Sequence, residues 1–386
     1  MKFYWLPLVI AVFALGTVRA EDSPKNEDLT KKESSSSEAV SVAEQYKNNP
    51  DDTKAFTAWL NATFTEISEL MNSAPDEAGK KLAAAKEFVS ALKPESAAGK
   101  SNLTRVKLIA TNFEETIALS RVTLAELEKQ VDEKPDDLAV LRKYSRKVAI
   151  EIGSIARAEP EKAEALMKSA TERVEKLKVA TTDNKVATSA LEQLERTLTS
   201  FVRTIEHGKK LIALIGQKSP SIDVQDWANG SPLTADELKG KVVLLDFWAV
   251  WCGPCIATFP HLREWQEKYS DKGLVIIGMT KYYNYAWDEA AGKAVKGKEK
   301  DEVSHEDEQK MLKRFAELHR LPHRFAIQTE THSLSDDFAV QGIPQAVVID
   351  RQGVIRLIRV GSGSKNAKDI GELIEKLVSD KPVAAK

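Results

Sequence analysis

Cys252 and Cys255 are the only cysteines in 386 residues, and they stand close together in Trp251-Cys252-Gly253-Pro254-Cys255. The run Lys241-Val242-Val243-Leu244-Leu245-Asp246 before them is apolar and β-branched, the pattern of a buried strand. A dithiol where a strand turns into a helix has a physical purpose. The first cysteine caps the helix, where unpaired N–H groups and the positive end of the macrodipole favour a thiolate. The second lies a turn further on, within reach of a mixed disulfide formed at the first. Pro254 has no N–H to satisfy and suits the first helical turn. Half a zinc site is the rival reading, but zinc wants four ligands, and no second cysteine pair exists. Of the histidines, His319 and His323 have ligand spacing but fall more than sixty residues beyond the dithiol. The chemistry expected is thiol–disulfide exchange, with no metal and no cofactor other than the Cys252–Cys255 pair.

Two neighbours bear on that chemistry. Asp246 ends an otherwise apolar run, where burial raises a carboxyl pKa and makes it a usable proton acceptor; a solvated strand-edge acid is the alternative. Trp251, beside the first thiol, is a platform for substrate or a packing residue.

The elements that hold the motif begin near Leu214, where strands and helices alternate. The pattern predicts a helix through Pro260 to Tyr269, kinked at that proline. Strands follow at 274–278, 324–327, 346–349 and 354–360, with helices at 306–319, near 335–339 and at 367–379. That order describes an α/β domain over 214–381 with a mixed sheet covered on both faces. A long insertion, 281–305, opens with Tyr282-Tyr283-Asn284-Tyr285-Ala286-Trp287 and continues as a charged run read as a solvated loop. In a parallel α/β sheet neighbouring strands end at one edge, so these aromatics should emerge beside Cys252.

Residues 38–210 are rich in Ala, Leu, Glu and Lys, which predicts an all-α domain. Pro50 and Pro75 are 25 residues apart, as are Pro135 and Pro160, and the pairs are offset by 85. Acidic residues follow each proline, a helix-start signal. At the same offset Val106, Ile109, Phe113 and Ile117 align with Leu191, Leu194, Leu198 and Val202, one apolar stripe apiece. The reading is a duplicated three-helix unit, with helices at 51–72, 76–92 and 102–130, then 136–157, 161–178 and 186–212. No motif in it identifies a partner, and it serves as a scaffold or docking module.

Residues 1–20 have one basic residue, Lys2, an apolar stretch and Val18-Arg19-Ala20, the signature of a secretory signal peptide, or of an anchor left uncut. The apolar run is short for a span. The Ser-rich stretch 21–37 is a disordered linker. Net charge is −2, which gives no reason to expect nucleic acid. An extracytoplasmic location, soluble or tethered, is expected.

Asp246-Phe247-Trp248-Ala249, Trp251-Cys252-Gly253-Pro254-Cys255 and Pro260 resemble the thioredoxins at matching spacings. Gly240-Lys241-Val242-Val243-Leu244, and Val340-Gln341-Gly342-Ile343-Pro344 before Val347-Val348-Ile349-Asp350, are similar to the TlpA/ResA-like branch of exported thioredoxin-fold proteins. The resemblance covers residues 214–381 only. It implies that Cys252 attacks, Cys255 resolves, Asp246 helps to deprotonate Cys255, and Pro344 is a cis-proline facing the dithiol. Trp251, Gly253, Pro254 and Ile343 are the expected substrate contacts, and Tyr282 and Tyr283 of the insertion either join them or pack locally. The partners implied are client protein thiols and disulfides and a membrane electron donor. Gln345 departs from the threonine common in that branch and leaves substrate preference open. A thiol peroxidase is an alternative, but such enzymes place Thr or Ser where Ala249 stands. A non-catalytic adaptor, with a helical half that binds and a dithiol domain that docks, is another.

Overall fold

The computed structural model of the protein describes residues 42–222, 224, 226–298, 302–328 and 334–380; the expected leader 1–20 and linker 21–37 lie outside them. Helices α1 (Thr53–Ser73) and α2 (Pro75–Ala91) start at the 85-residue offset of the prolines from α5 (Leu138–Ile155) and α6 (Pro160–Ala180), and α3 (Ala97–Ser120) starts three residues off that offset from α7 (Lys185–Leu214). The start signals repeat with them. Asp52 accepts from the backbone N–H groups of Lys54 and Ala55, and Asp137 from those of Ala139 and Val140. Pro75 and Pro160 each open a helix, where a missing N–H costs nothing.

The expectation of one helix over 102–130 is corrected. The chain breaks after Ser120 and restarts as α4 (Leu124–Glu133). Thr123 Oγ1 accepts from the Glu126 N–H while the Glu126 carboxylate accepts from the Thr123 N–H, a reciprocal capping box that starts a new helix. Val106 and Ile117 are buried, and Ile109 and Phe113 pack on the same cluster. In the second copy Leu191, Leu194 and Leu198 are buried, but Val202 is 44% exposed. The buried row passes it and continues at Ile205, two turns beyond Leu198.

In the C-terminal half the centre is β2 (Val242–Phe247), whose residues are all buried. It runs parallel to β3 (Leu274–Lys281), which runs parallel to β6 (Arg324–Gln328). On its other side β7 (Gln345–Ile349) is antiparallel, followed by antiparallel β8 (Ile355–Val360). A short strand missed from the sequence, β1 (Asp226–Ala228), closes the far edge against β6, so the order is β1-β6-β3-β2-β7-β8. A strand with a strand on each side and a core on each face has little polar environment left, which is why β2 is apolar at every position but Asp246.

One face is covered by α10 (Phe259–Tyr269), α11 (His305–His319) and α13 (Ser364–Ser379), through Leu262, Phe315 and Ile374 against Leu244, Ile276 and Val348. On the other, Leu245, Phe247 and Val347 pack with Phe338, which follows α12 (Leu334–Asp337), and with Leu211 at the end of α7. The chain accordingly divides into two compact units away from the expected boundary. Ile155–Ala165 and everything described from Ser200 onward form the unit with the sheet, and the remaining described helical residues form the other. Within the first, α7 lies so close to Ala156 that a β-carbon on Gly208 would come within 2.4 Å of the Ala156 carbonyl oxygen.

The insertion is corrected as well. Its charged part is not only loop: β4 (Tyr285–Asp288) and β5 (Lys293–Lys296) pair as an antiparallel hairpin. Asp288 accepts from the Ala291 N–H, and Gly292 takes the left-handed backbone that closes the turn.

Candidate active site

Strand β2 ends at Phe247, and the chain reaches Cys252 at the N-cap of the one-turn helix α9 (Gly253–Ile256). Cys252 Sγ accepts from the Cys255 N–H at 3.2 Å, and the two sulfurs are joined as a disulfide. Cys252 is 4% exposed and Cys255 is fully buried, so whatever approaches reaches Cys252 first. The helix expected to run through Pro260 is two helices. The chain breaks at Ala257–Thr258, and Pro260 sits in the first turn of α10, where its missing N–H is harmless.

Trp248 anchors the turn from below. Its N–H donates to Met279 O at 3.0 Å. Its ring stacks on Phe315 at 5.3 Å and meets Phe325 and Phe259 edge-on. Gly278 has to be glycine here, since a β-carbon would lie 2.7 Å from Trp248 Nε1.

Asp246 stands opposite Gly278 on β3 and Ala346 on β7, and its Oδ2 has no hydrogen-bond partner among the described residues. Burial pushes its pKa up to about 7. A cavity of about 30 Å³, enough to hold a water, is lined by Asp246, Thr258, His261, Pro344, Ser362 and Asn366, among others. Among the described residues, Asp246 and His261 are the titratable groups on its wall. A buried acid poised near neutrality, with a water-sized cavity beside it, can take up and release a proton.

The Ile343–Pro344 bond is cis, and the Pro344 carbonyl accepts from the Gly361 N–H at 2.8 Å. Gln345 is buried opposite Phe247, with its side-chain amide donating to Phe338 O at 2.9 Å. Ile343 packs against both cores. Pro344 and Asp246 thus share one cavity wall.

The aromatics of the insertion divide. Tyr283 meets Trp251, which is 53% exposed, edge-on at 5.6 Å. Tyr282 is engaged elsewhere: its hydroxyl donates to Asp226 and accepts from Gln309, and its ring stacks on His305 at 3.9 Å. That side chain braces β1 against α11. Sequence reasoning overlooked Glu308. Buried on α11, its carboxylate accepts from the backbone N–H groups of Tyr283 at 2.6 Å and Asn284 at 3.0 Å, fixing where the insertion leaves the sheet. The signal was an acid on the buried stripe Glu308, Met311, Leu312, Phe315.

A family model described as Redoxin matches residues 214–374. "Thioredoxin-like protein YneN" of Bacillus subtilis is 28% identical over 151 residues, covering 39% of this chain and 74% of that protein. "Thiol:disulfide interchange protein DsbE" of Pseudomonas aeruginosa is 34% identical over 152 residues, covering 39% and 68%. The crystal structure of a putative thiol:disulfide interchange protein DsbE from Chlorobium tepidum aligns with 43% of this chain and 98% of its own, at 24% identity and a TM-score of 0.33. A dithiol at the end of a central strand, in a segment this similar to most of an interchange protein's length, leaves one assignment: through its C-terminal half the chain belongs to the thioredoxin-fold thiol–disulfide oxidoreductases of the Redoxin family.

Proposed function

We propose that the protein works outside the cytoplasm as a reductase of client protein disulfides. The observation that carries the reading is the Cys252–Cys255 disulfide just after β2, the strand on which Asp246 is a buried carboxyl with pKa about 7. In the reduced protein the Cys252 thiolate attacks a client disulfide, and the displaced client sulfur leaves with a proton from solvent. The Asp246 carboxylate takes the proton of Cys255, whose thiolate attacks Cys252 and expels the second client thiol. Two electrons have then passed to the client, and the protein holds its disulfide. The exchange needs no bound cofactor. Trp251, Gly253-Pro254, Ile343 and Tyr283 form the surface the client meets; Pro344 faces the dithiol from the loop side. Residues 1–20 support export, and a reductase there needs electrons from a membrane donor.

Direction follows from the dipeptide. Cys252 Sγ has the Cys255 N–H as its hydrogen-bond donor, and Gly253-Pro254 adds no cation. A modestly stabilised thiolate makes the disulfide hard to reduce, so the potential is expected near that of thioredoxin, about −270 mV. Equilibration with glutathione mixtures and thiol trapping measures it, and a value above about −180 mV would turn the reading to oxidase or isomerase. Insulin reduction should be abolished by Cys252→Ser, and alkylation of the reduced protein near neutral pH should mark Cys252 before Cys255. First labelling of Cys255 would falsify the assignment of roles.

A further inference from the structure

His207 lies on α7 and is 3% exposed. Its Nε2 is 2.7 Å from the carbonyl oxygen of Ala339, so that nitrogen carries the proton and donates. Burial, helped by Arg157 and Lys210, holds its pKa below the usual histidine value and keeps the ring neutral at pH 7. Ala339 follows α12 with φ of 49°, a left-handed backbone that a β-carbon disfavours. Such a conformation persists where its surroundings fix it, and here hydrogen bonds on both sides of Ala339 do, with the Ala339 N–H itself donating to Asp336 O at 3.0 Å. The Val340 N–H donates to Ser335 O at 2.6 Å, the Gln345 side chain donates to Phe338 O at 2.9 Å, and His207 takes the next carbonyl. Gln345 is the residue after Pro344. Consecutive carbonyls are therefore gripped, one from the cis-proline loop and one from a helix outside the α/β pattern. That helix runs unbroken from Lys185, and its residues before Ser200 belong to the other compact unit.

We propose that His207 is a positioning residue for the Ile343–Pro344 loop, fixing through Ala339 the height at which the loop meets a client chain held at Cys252. The inference rests on the reductase reading and adds a control point to the same site. It explains why a buried, neutral histidine stands on a helix face otherwise packed by Leu211 against Phe338. A leucine at 207 would fill the space and leave the Ala339 carbonyl without its donor.

The test uses the full chain with His207→Gln, which keeps a donor at similar reach, and His207→Leu, which keeps the volume. In the oxidised protein, hydrogen exchange at the N–H groups of Val340 and Gly361 should quicken about fivefold or more in the leucine variant, the loss of one hydrogen bond. Exchange in β2 and β3 should stay unchanged, and glutamine should behave as wild type. With insulin as client, KM should rise about fivefold in the leucine variant. Its kcat, its turnover of oxidised glutathione and its reduction potential should hold. Unchanged exchange, or exchange raised across the whole sheet in both variants, overturns the proposal. So does a loosened loop with an unaltered KM. If wild type reduces neither disulfide, the reductase reading fails by itself, and the exchange result still decides whether His207 fixes the loop.

Discussion

Burial takes Asp246 from an ordinary carboxylate to an acid with pKa about 7, and the fold bears the cost whenever the group ionises. Its folded pKa lies above the unfolded value, so its contribution to stability is complete below about pH 4 and is lost as pH rises through about 7. Asp246→Asn removes that loss. It should stabilise the protein at pH 8 by an amount on the order of 4 kcal/mol and do little at pH 4. Urea titrations at the two pH values check this, and an equal gain at both would mean that ionisation is not the cause. The same substitution should slow disulfide release at neutral pH. At this scale the sequence was readable because type and spacing carry the chemistry: Cys252, Cys255 and Asp246 stand out in an apolar run. Glu308 did not, because its partners are backbone N–H groups, which leave no mark in the identity of Tyr283 or Asn284.

Among the elements, the entry to the β4–β5 hairpin is held by that carboxylate. Glu308→Ala leaves two backbone donors without an acceptor and should cost roughly 3 kcal/mol, since bonds to charged groups are the stronger ones. Loss of the Tyr283–Trp251 contact should shift the emission of the exposed tryptophan, while the dithiol potential stays put. Protease cutting within 289–298 should quicken; resistance equal to wild type would show the hairpin is held by other contacts. The hairpin escaped sequence reading because Lys293-Ala294-Val295-Lys296 is too short and charged to signal a strand. Strand β1 escaped because its pairing partner, β6, lies about a hundred residues away in sequence. The break between α3 and α4 was legible in Thr123 and Glu126 as a capping box, and there the apolar period hid it.

For the whole molecule, the change of texture expected near Leu214 and the division into compact units fall at different places in the chain. Periodicity reveals that 185–214 is helical; it does not reveal which core each turn serves. Ile205, His207 and Leu211 serve the sheet-bearing unit, together with Ile155–Ala165. A chain cut at Leu211 loses all of these except Leu211 itself. It should melt about 10 °C below a chain cut at Ile155, for roughly 3 kcal/mol of lost burial. Circular dichroism on the two truncated chains measures the gap. Equal melting temperatures would mean that α7 and the 155–165 segment add nothing to that unit.

The cysteines are separated by three positions, and both are buried in one cluster. Opening a ring that small uncovers almost no surface. Heat capacity follows the surface a process exposes, so reduction should carry a heat-capacity change near zero although global unfolding carries a large one. The enthalpy of exchange with dithiothreitol should then be the same at every temperature, and the potential should drift in a straight line with warming. Titration calorimetry between 10 and 40 °C, about the span over which the fold stays intact, would return a flat plot. A sloping one would reveal that more of the chain than α9 loosens when the bond opens.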